Sequence, residues 1–444
     1  MIALRLLASA ALLAAALPPS TPAAAGTAAA SATTASGAFS VLTYNVAGLP
    51  EPLSSGRPSV NTRPIGERVN AYDIVHVQED FNYHADLYAT DRHPYRTPTS
   101  GGVPFGDGLN TMSNLPYSAF IRVKWNRCNG TDCLTPKGFT YSRLRLDEGV
   151  FVDLYNVHTN AGSTDADLAA RRANITQLAN YIAANSAGNA VVVMGDLNVR
   201  YTRDGDNIRD LVSANGLTDA WVQQERGGQP PAPGSPALVC DPANVTNACE
   251  VVDKILYRGS RLVRLSLGRY HNEYARFLDG AGEHLSDHYP HAAWFTWTLD
   301  PGLRQSDTWG GPHGTPFTDL DSVGPRVTRL SLRGGARLDQ VGLTFADGTA
   351  RVHGGGGGTA VSLALDTGER ITEVTLTQGQ RDGRTRIFSA RFSTSLGRTL
   401  IAGTPTSAAV TFTAPPGGAL AGFFGRSGDE VDQLGVIWSV GGGD

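Results

Sequence analysis

The hydrophobic pattern changes kind near residue 300, and that change limits the fold more than any single motif does. Before it, β-branched runs bounded by Gly and Pro (DIVHVQE, GVFVDLYNVHT, AVVVMGDLN) alternate with helical periodicity, as in DADLAARRANITQLANYIAANS. Nearly continuous apolar strands such as VVVM read as buried on both faces. From TWGGPHGTPF onward, short alternating segments (RVTRLSLR, QVGLTF, AVSLALD, RITEVTLTQ, RIFSARFST, AAVTFTA, LGVIWSV) follow one another between Gly and Asp turns, with no helical run among them. The expectation is an α/β sandwich over residues 38–300, a linker near DPGLRQSD and an all-β domain over residues 305–440. A chain of 444 residues, 41% hydrophobic and 18% charged, is long enough for two cores.

The first residues read differently. One Arg precedes the apolar run LLASAALLAAAL, and PPSTPAAAGTAAA then supplies small residues at A-x-A spacing, the pattern of a signal peptide over residues 1–25. A small-residue linker over residues 26–37 would follow. The apolar run is short for a bilayer span and no later segment is longer, so the expectation is a secreted, extracellular, soluble protein. Four cysteines suit that compartment: Cys128 with Cys133, and Cys240 with Cys249, are the economical pairings, two pins on surface loops. Their spacing lacks the regularity of a zinc site. A net charge of −4 argues against a protein that wraps polyanions, so no stable nucleic-acid complex is expected.

Several strand ends finish in polar residues that a core does not need. TYNV presents Asn45, VHVQED presents Glu79, GDLN presents Asp196 and Asn198, and SDHYP presents Asp287 and His288; LYNVHTN adds His158 and CEVVDKILY adds Asp253. Each alone reads as a turn residue. Together, acids and amides gathered at strand termini make an oxygen-rich pocket suited to a hard cation.

This ordered set resembles the endonuclease/exonuclease/phosphatase superfamily, which includes secreted deoxyribonucleases, neutral sphingomyelinases and inositol-phosphate phosphatases. The resemblance implies a four-layer α/β sandwich, two β-sheets flanked by helices, with a metal site at one end. It implies Mg²⁺ as the cofactor, with Mn²⁺ or Ca²⁺ in support. Glu79 would be the principal ligand, and Asn45 and Asp287 would lie close to the metal. Asp196 and Asn198 would hold the phosphate and the attacking water. His288 would be the general base, oriented by Asp253, and His158 would contact the phosphate or assist the leaving group. Asp107, in the GDGLN turn, would partner His158. For Asp253, a bridge to Lys254 is the structural alternative, weakened because adjacent strand residues face opposite ways.

The substrate is a separate question, since one fold serves many. KGFTYSR, after a disulfide-sized loop, resembles a strand of secreted sphingomyelinases, which places a phospholipid head group at a membrane surface first. A deoxyribonuclease-like nuclease and a phosphomonoesterase such as an inositol-phosphate phosphatase follow. A carbohydrate-binding protein with a vestigial metal site is the non-enzymatic alternative.

In the second half, TWGGPHGTPFTDL, DQVGLTFADGT, RVHGGGGG and GFFGRSGDEVDQLGVIWSV resemble jacalin-related lectins. That resemblance implies a three-sheet β-prism that binds glycans through loops without metal. Asp432, with backbone amides at Asp429 and Glu430, would grip sugar hydroxyls, and Gly314 would permit close backbone approach. Such a lectin, tethered to an enzyme, would concentrate it near glycan-bearing surfaces.

Overall fold

The computed structural model describes residues 35–101 and 105–441. The predicted signal peptide and most of the predicted linker lie outside the described residues. Among those residues, no helix is long and apolar enough to cross a membrane.

Twelve strands build the first part: β1 (Ser36–Asn45), β2 (Ile74–Gln78), β3 (Tyr95–Arg96), β4 (Asn110–Ser113), β5 (Tyr117–Lys124), β6 (Gly138–Asp147), β7 (Val150–His158), β8 (Ala190–Asp196), β9 (Thr218–Asp219), β10 (Asp253–Arg258), β11 (Val263–Asn272) and β12 (His291–Leu299). They form two six-stranded sheets, ordered β11-β12-β1-β2-β4-β3 and β5-β6-β7-β8-β10-β9. Alternation along β1 shows how the layers stack. Phe39 and Val41 join the core shared with the second sheet, while Leu42 and Tyr44 face a separate cluster with Ile65 and Val69. Ile65 belongs to α1 (Pro58–Arg68), and α2 (His84–Thr90) adds Leu87 to the same outer cluster. On the far side, α3 (Asp165–Asn185) lays Ile175, Leu178 and Ile182 against the second sheet. Its start is set by a capping box in which Thr164 and Asp167 satisfy each other's backbone amides. The expected four-layer sandwich is therefore present. The strands DIVHVQE, GVFVDLYNVHT and AVVVMGDLN and the long helix fall where periodicity places them, and β8 is buried throughout.

Thirteen further strands follow: β13 (Leu303–Gln305), β14 (Trp309–Gly310), β15 (Thr315–Thr318), β16 (Val327–Gly334), β17 (Leu338–Phe345), β18 (Ala350–Gly354), β19 (Thr359–Ala364), β20 (Ile371–Arg381), β21 (Arg384–Thr394), β22 (Thr399–Gly403), β23 (Ala408–Thr413), β24 (Ala419–Ser427) and β25 (Val431–Ser439). Three sheets, β13-β25-β24-β15 with β14 also pairing β25, β18-β17-β16-β19 and β22-β21-β20-β23, surround one core, the expected β-prism.

The segment read as a linker is a strand instead: β13 pairs with β25, so the chain passes from sandwich to prism without a free tether. In β24 and β25, Phe423, Val436 and Trp438 face the prism core while Phe424 and Ile437 join the sandwich core. That sheet is buried on both faces. Arg145 adds an ion pair to Asp307 at 2.9 Å, and Gly149 N–H donates to the same carboxylate at 3.1 Å. The tethered-module picture gives way to two bodies sharing apolar surface. Both predicted disulfides, Cys128–Cys133 and Cys240–Cys249, are formed.

Candidate metal and phosphodiester site

One end of the sandwich collects the polar strand ends because of register. His158, Asp196 and Asp253 are direct neighbours across β7, β8 and β10, so their side chains share a face. In the other sheet, Asn45 closes β1 beside Gln78 of β2, and His288 lies in the turn that enters β12. Backbone conformation sharpens the arrangement. Glu79 and Asn198 both sit at positive φ, 58° and 51°, conformations that non-glycine residues hold only when their surroundings over-determine them. Gly195 allows β8 to approach β7, since a Cβ there would stand 2.0 Å from the Val157 carbonyl oxygen.

Asp196 is the hub. Its Oδ2 accepts from Asn45 Nδ2 at 3.2 Å and lies 3.4 Å from His158 Nε2 and 3.8 Å from His288 Nε2; its Oδ1 accepts from Asn198 N–H at 3.0 Å. Burial, with the charges of Asp253 and Glu79, raises its pKa to about 6 despite His288 and Lys137. His288 Nδ1 meets Asp253 Oδ2 at 2.9 Å. Burial works against a charged imidazole there, yet Asp253 and Asp196 outweigh it and push His288 well above its ordinary range. His158 goes the other way: burial, with Lys137 and His288 adding to it, holds it well below. Two histidines in one site are thus split, one basic and one neutral.

Glu79 is partly exposed, with His158 Nε2 3.8 Å from its carboxylate. With Asn45 and Asp196 beside it, the donors are oxygens, a set that fits a hard cation such as Mg²⁺. Asp196, Asp253 and His288 also offer one ligand atom each within 4.8 Å of one another. Asp253 and His288 are already committed to each other, which leaves Glu79, Asn45 and Asp196 as the oxygen donors outside that pair. Asp287 is exposed and accepts from Ser55 Oγ, at the rim.

A family model described as "Endonuclease/Exonuclease/phosphatase family 2" matches residues 59–225, and one described as "Jacalin-like lectin domain" matches residues 306–437. The chain joins an endonuclease/exonuclease/phosphatase domain to a jacalin-like lectin domain. A sphingomyelinase of Mycobacterium bovis is 46% identical over 276 residues, covering 60% of this chain and 54% of the relative. Horcolin of Hordeum vulgare subsp. vulgare is 31% identical over 134 residues, covering 29% of this chain and 90% of the relative. Among solved structures, sphingomyelinase C from Streptomyces griseocarneus is 21% identical and covers 60% of this chain and 100% of that one, with a TM-score of 0.42. This chain spans about half the length of the sphingomyelinase relatives it matches.

Within the endonuclease/exonuclease/phosphatase domain one expectation fails. Asp107 does not partner His158: both its oxygens grip Arg122 Nη1, at 2.7 and 2.8 Å, while His158 Nδ1 is buried without a partner. The GDGLN turn aims the carboxylate across to β5 instead. Lys254 likewise leaves Asp253 alone, turning Nζ to the Val251 carbonyl at 2.6 Å.

The residue that sequence reading did not single out is Lys137, 8% exposed, with Nζ 2.6 Å from Asp132 Oδ1. Its charge reaches both His158 and Asp196. The KG of KGFTYSR, just past the Cys128–Cys133 loop, is the signal for it. Beneath the site, Gln78 and Asn156 tie the two sheets together at 2.8 Å, and Asp80 takes His84 and Asn110 at 2.6 and 2.7 Å, bracing the Glu79 turn.

In the lectin domain, Gly314 lies against Asp432, where a Cβ would stand 2.4 Å from Oδ2. Asp429 is exposed and Gly428 N–H donates to the Glu430 carbonyl at 3.0 Å, closing the turn. The acids differ from expectation. Asp432 is buried and paired with Arg386, and Glu430 is paired with Arg337 through both oxygens. A sugar would share Asp432 with an arginine.

Proposed function

We propose that this chain is a secreted, Mg²⁺-dependent phosphodiesterase that hydrolyses a phospholipid head-group ester of the sphingomyelin type, carried beside a glycan-binding lectin domain. The observation that supports it most is the His288–Asp253 pair at 2.9 Å, set 3.8 Å from Asp196. The similarity to sphingomyelinases favours a lipid phosphodiester among the substrates this site could take.

Glu79 and Asn45 would hold Mg²⁺, with Asp287 at the rim, and the ion would neutralise charge developing on a phosphate oxygen. In its deprotonated form His288 takes the proton of the attacking water through Nε2, while Asp253 fixes its tautomer through Nδ1. Asp196 and Asn198 orient that water. As the water oxygen bonds to phosphorus, the ester bond to the lipid alcohol breaks and the leaving oxygen takes up a proton from solvent. His158, neutral and buried, faces the phosphate, and Lys137 lends it positive charge from below.

The test is a pair of assays on one preparation: phosphocholine release from sphingomyelin, and nicking of plasmid DNA, each with and without EDTA. Magnesium-dependent phosphocholine release is expected. Nicking without lipid hydrolysis would move the assignment to the nucleases, and silence in both would leave a binding protein.

A further inference from the structure

Asn198 holds a left-handed conformation, φ 51°, and part of what keeps it there lies outside the site. Both peptide groups that flank it are tied. Its N–H donates to Asp196 Oδ1 at 3.0 Å, and its carbonyl oxygen accepts from Arg203 Nη1 at 2.8 Å. Arg203 is held in turn: the same Nη1 reaches Asp206 Oδ2 at 3.1 Å, and that oxygen also accepts from the Arg200 N–H at 2.9 Å. The Asp206 side chain is fully buried, and its Oδ1 accepts from Arg171 Nε at 3.1 Å, which anchors it to α3. Arg171 Nη1 also donates to the carbonyls of Asn160 and Gly162, at 3.1 and 3.0 Å, in the segment that follows His158.

We propose that Arg203 is a positioning residue: braced by Asp206, it holds the Asn198 carbonyl and so keeps the Asn198 side chain where it orients the attacking water. This rests on the role given to Asn198 in the proposed function. Two backbone dihedrals decide where a side chain points, and each is set by one flanking peptide plane. Asp196 fixes the plane before Asn198, and Arg203 fixes the plane after it. Without Arg203 the second plane is free to turn, and Asn198 relaxes toward the right-handed or extended regions that its Cβ prefers. The side chain has little hold of its own, since Nδ2 makes only a long contact, 3.4 Å, with the Thr159 carbonyl. Arginine suits the task because Nη1 carries two N–H groups, one for each acceptor, on a head that stays charged. Through Asp206 and Arg171 the clamp reaches α3 and the segment after β7. The conformation of Asn198 is therefore set by the framework of the second sheet, and the loop alone does not decide it.

The test uses the full chain and two readouts. In kinetics on a soluble phosphodiester, Arg203→Met, which keeps the apolar stem, should lower kcat about 10- to 100-fold with KM nearly unchanged, and Arg203→Lys, which restores a charged donor, should recover most of it. In an Asn198→Ala background the same Arg203→Met change should cost almost nothing further, because the side chain it positions is gone. Amide hydrogen exchange needs no turnover: the Asn198 N–H should exchange faster in Arg203→Met, while the Val192 N–H, in the middle of β8, should not change. The Arg203 side chain is 31% exposed, so its replacement leaves the core intact. Arg203→Gln, neutral and too short for both acceptors, keeps the test in force should Arg203→Met fail to fold. Wild-type kcat in the variant, an equal loss in both backgrounds, or an unchanged Asn198 amide would overturn the proposal. A chain that hydrolyses nothing but loses protection at Asn198 in Arg203→Met would sink the functional reading and leave the clamp standing.

Discussion

The two domains of this molecule handle their acidic clusters in opposite ways. In the sandwich, Glu79, Asp196 and Asp253 meet histidines, and Lys137, the fixed cation felt there, is already engaged with Asp132. In the prism, Asp432 has Arg386 and Glu430 has Arg337. The first arrangement is short of positive charge and, on the proposed function, would be completed from outside by a cation. The second is complete in itself, so its acids hold a turn in shape. Similar residues, an Asp in a glycine-rich loop or after a strand, thus take different parts according to whether an arginine reaches them.

Substitutions should separate the two domains. Glu79→Ala or His288→Ala is expected to lower phosphodiester hydrolysis by about 10³-fold, the scale of a lost base or metal ligand, with thermal stability held or raised, since Glu79 lies among like charges. Assays paired with melting curves check this; a Glu79→Ala variant that melts early would place that acid in the structural class. Arg386→Ala should do the reverse. Leaving Asp432 buried without its counter-charge should cost about 3 kcal/mol in denaturant unfolding, with catalysis per folded molecule unchanged.

Acid should weaken the sandwich in particular. Burial lowers His76 to about 3, so below its unfolded value of 6.5 the unfolded chain binds the extra proton. That contribution is intact above pH 6.5 and is lost as pH falls toward 3, with about 2 kcal/mol gone by pH 5. His76→Asn should flatten this slope in unfolding curves taken at several pH values. The smallest effect belongs to Asp107→Asn. With the carboxylate on Arg122 and not on His158, turnover should change by less than about threefold, within the range of substitutions away from such features. A large loss would return Asp107 to the site.

Strand ends were the readable part of the site. Polar residues that close apolar runs, Asn45, Asp196 and His158, stand out from sequence because a core has no use for them, and register then brings them together. Partnership was harder to read. The Asp107 turn is local, but its partner Arg122 is set by how β5 crosses behind it. Lys137 is one of three lysines in the chain, and its burial near His158 and Asp196 is what the structure adds. The prism was legible through alternation in β16, β20 and β21. Where it meets the sandwich, alternation disappears: β24 puts Phe423 and Phe424 into two different cores, so it carries no polar face to mark it. The same burial turned an expected linker into β13.

On the proposed function, the acids of the sandwich site bind a divalent cation and the arginine-paired acids of the prism do not. Calorimetric titration of Mg²⁺ into the full chain tests it. Binding should be lost in Glu79→Gln and kept in Asp432→Asn; binding that survives Glu79→Gln unchanged would contradict the account.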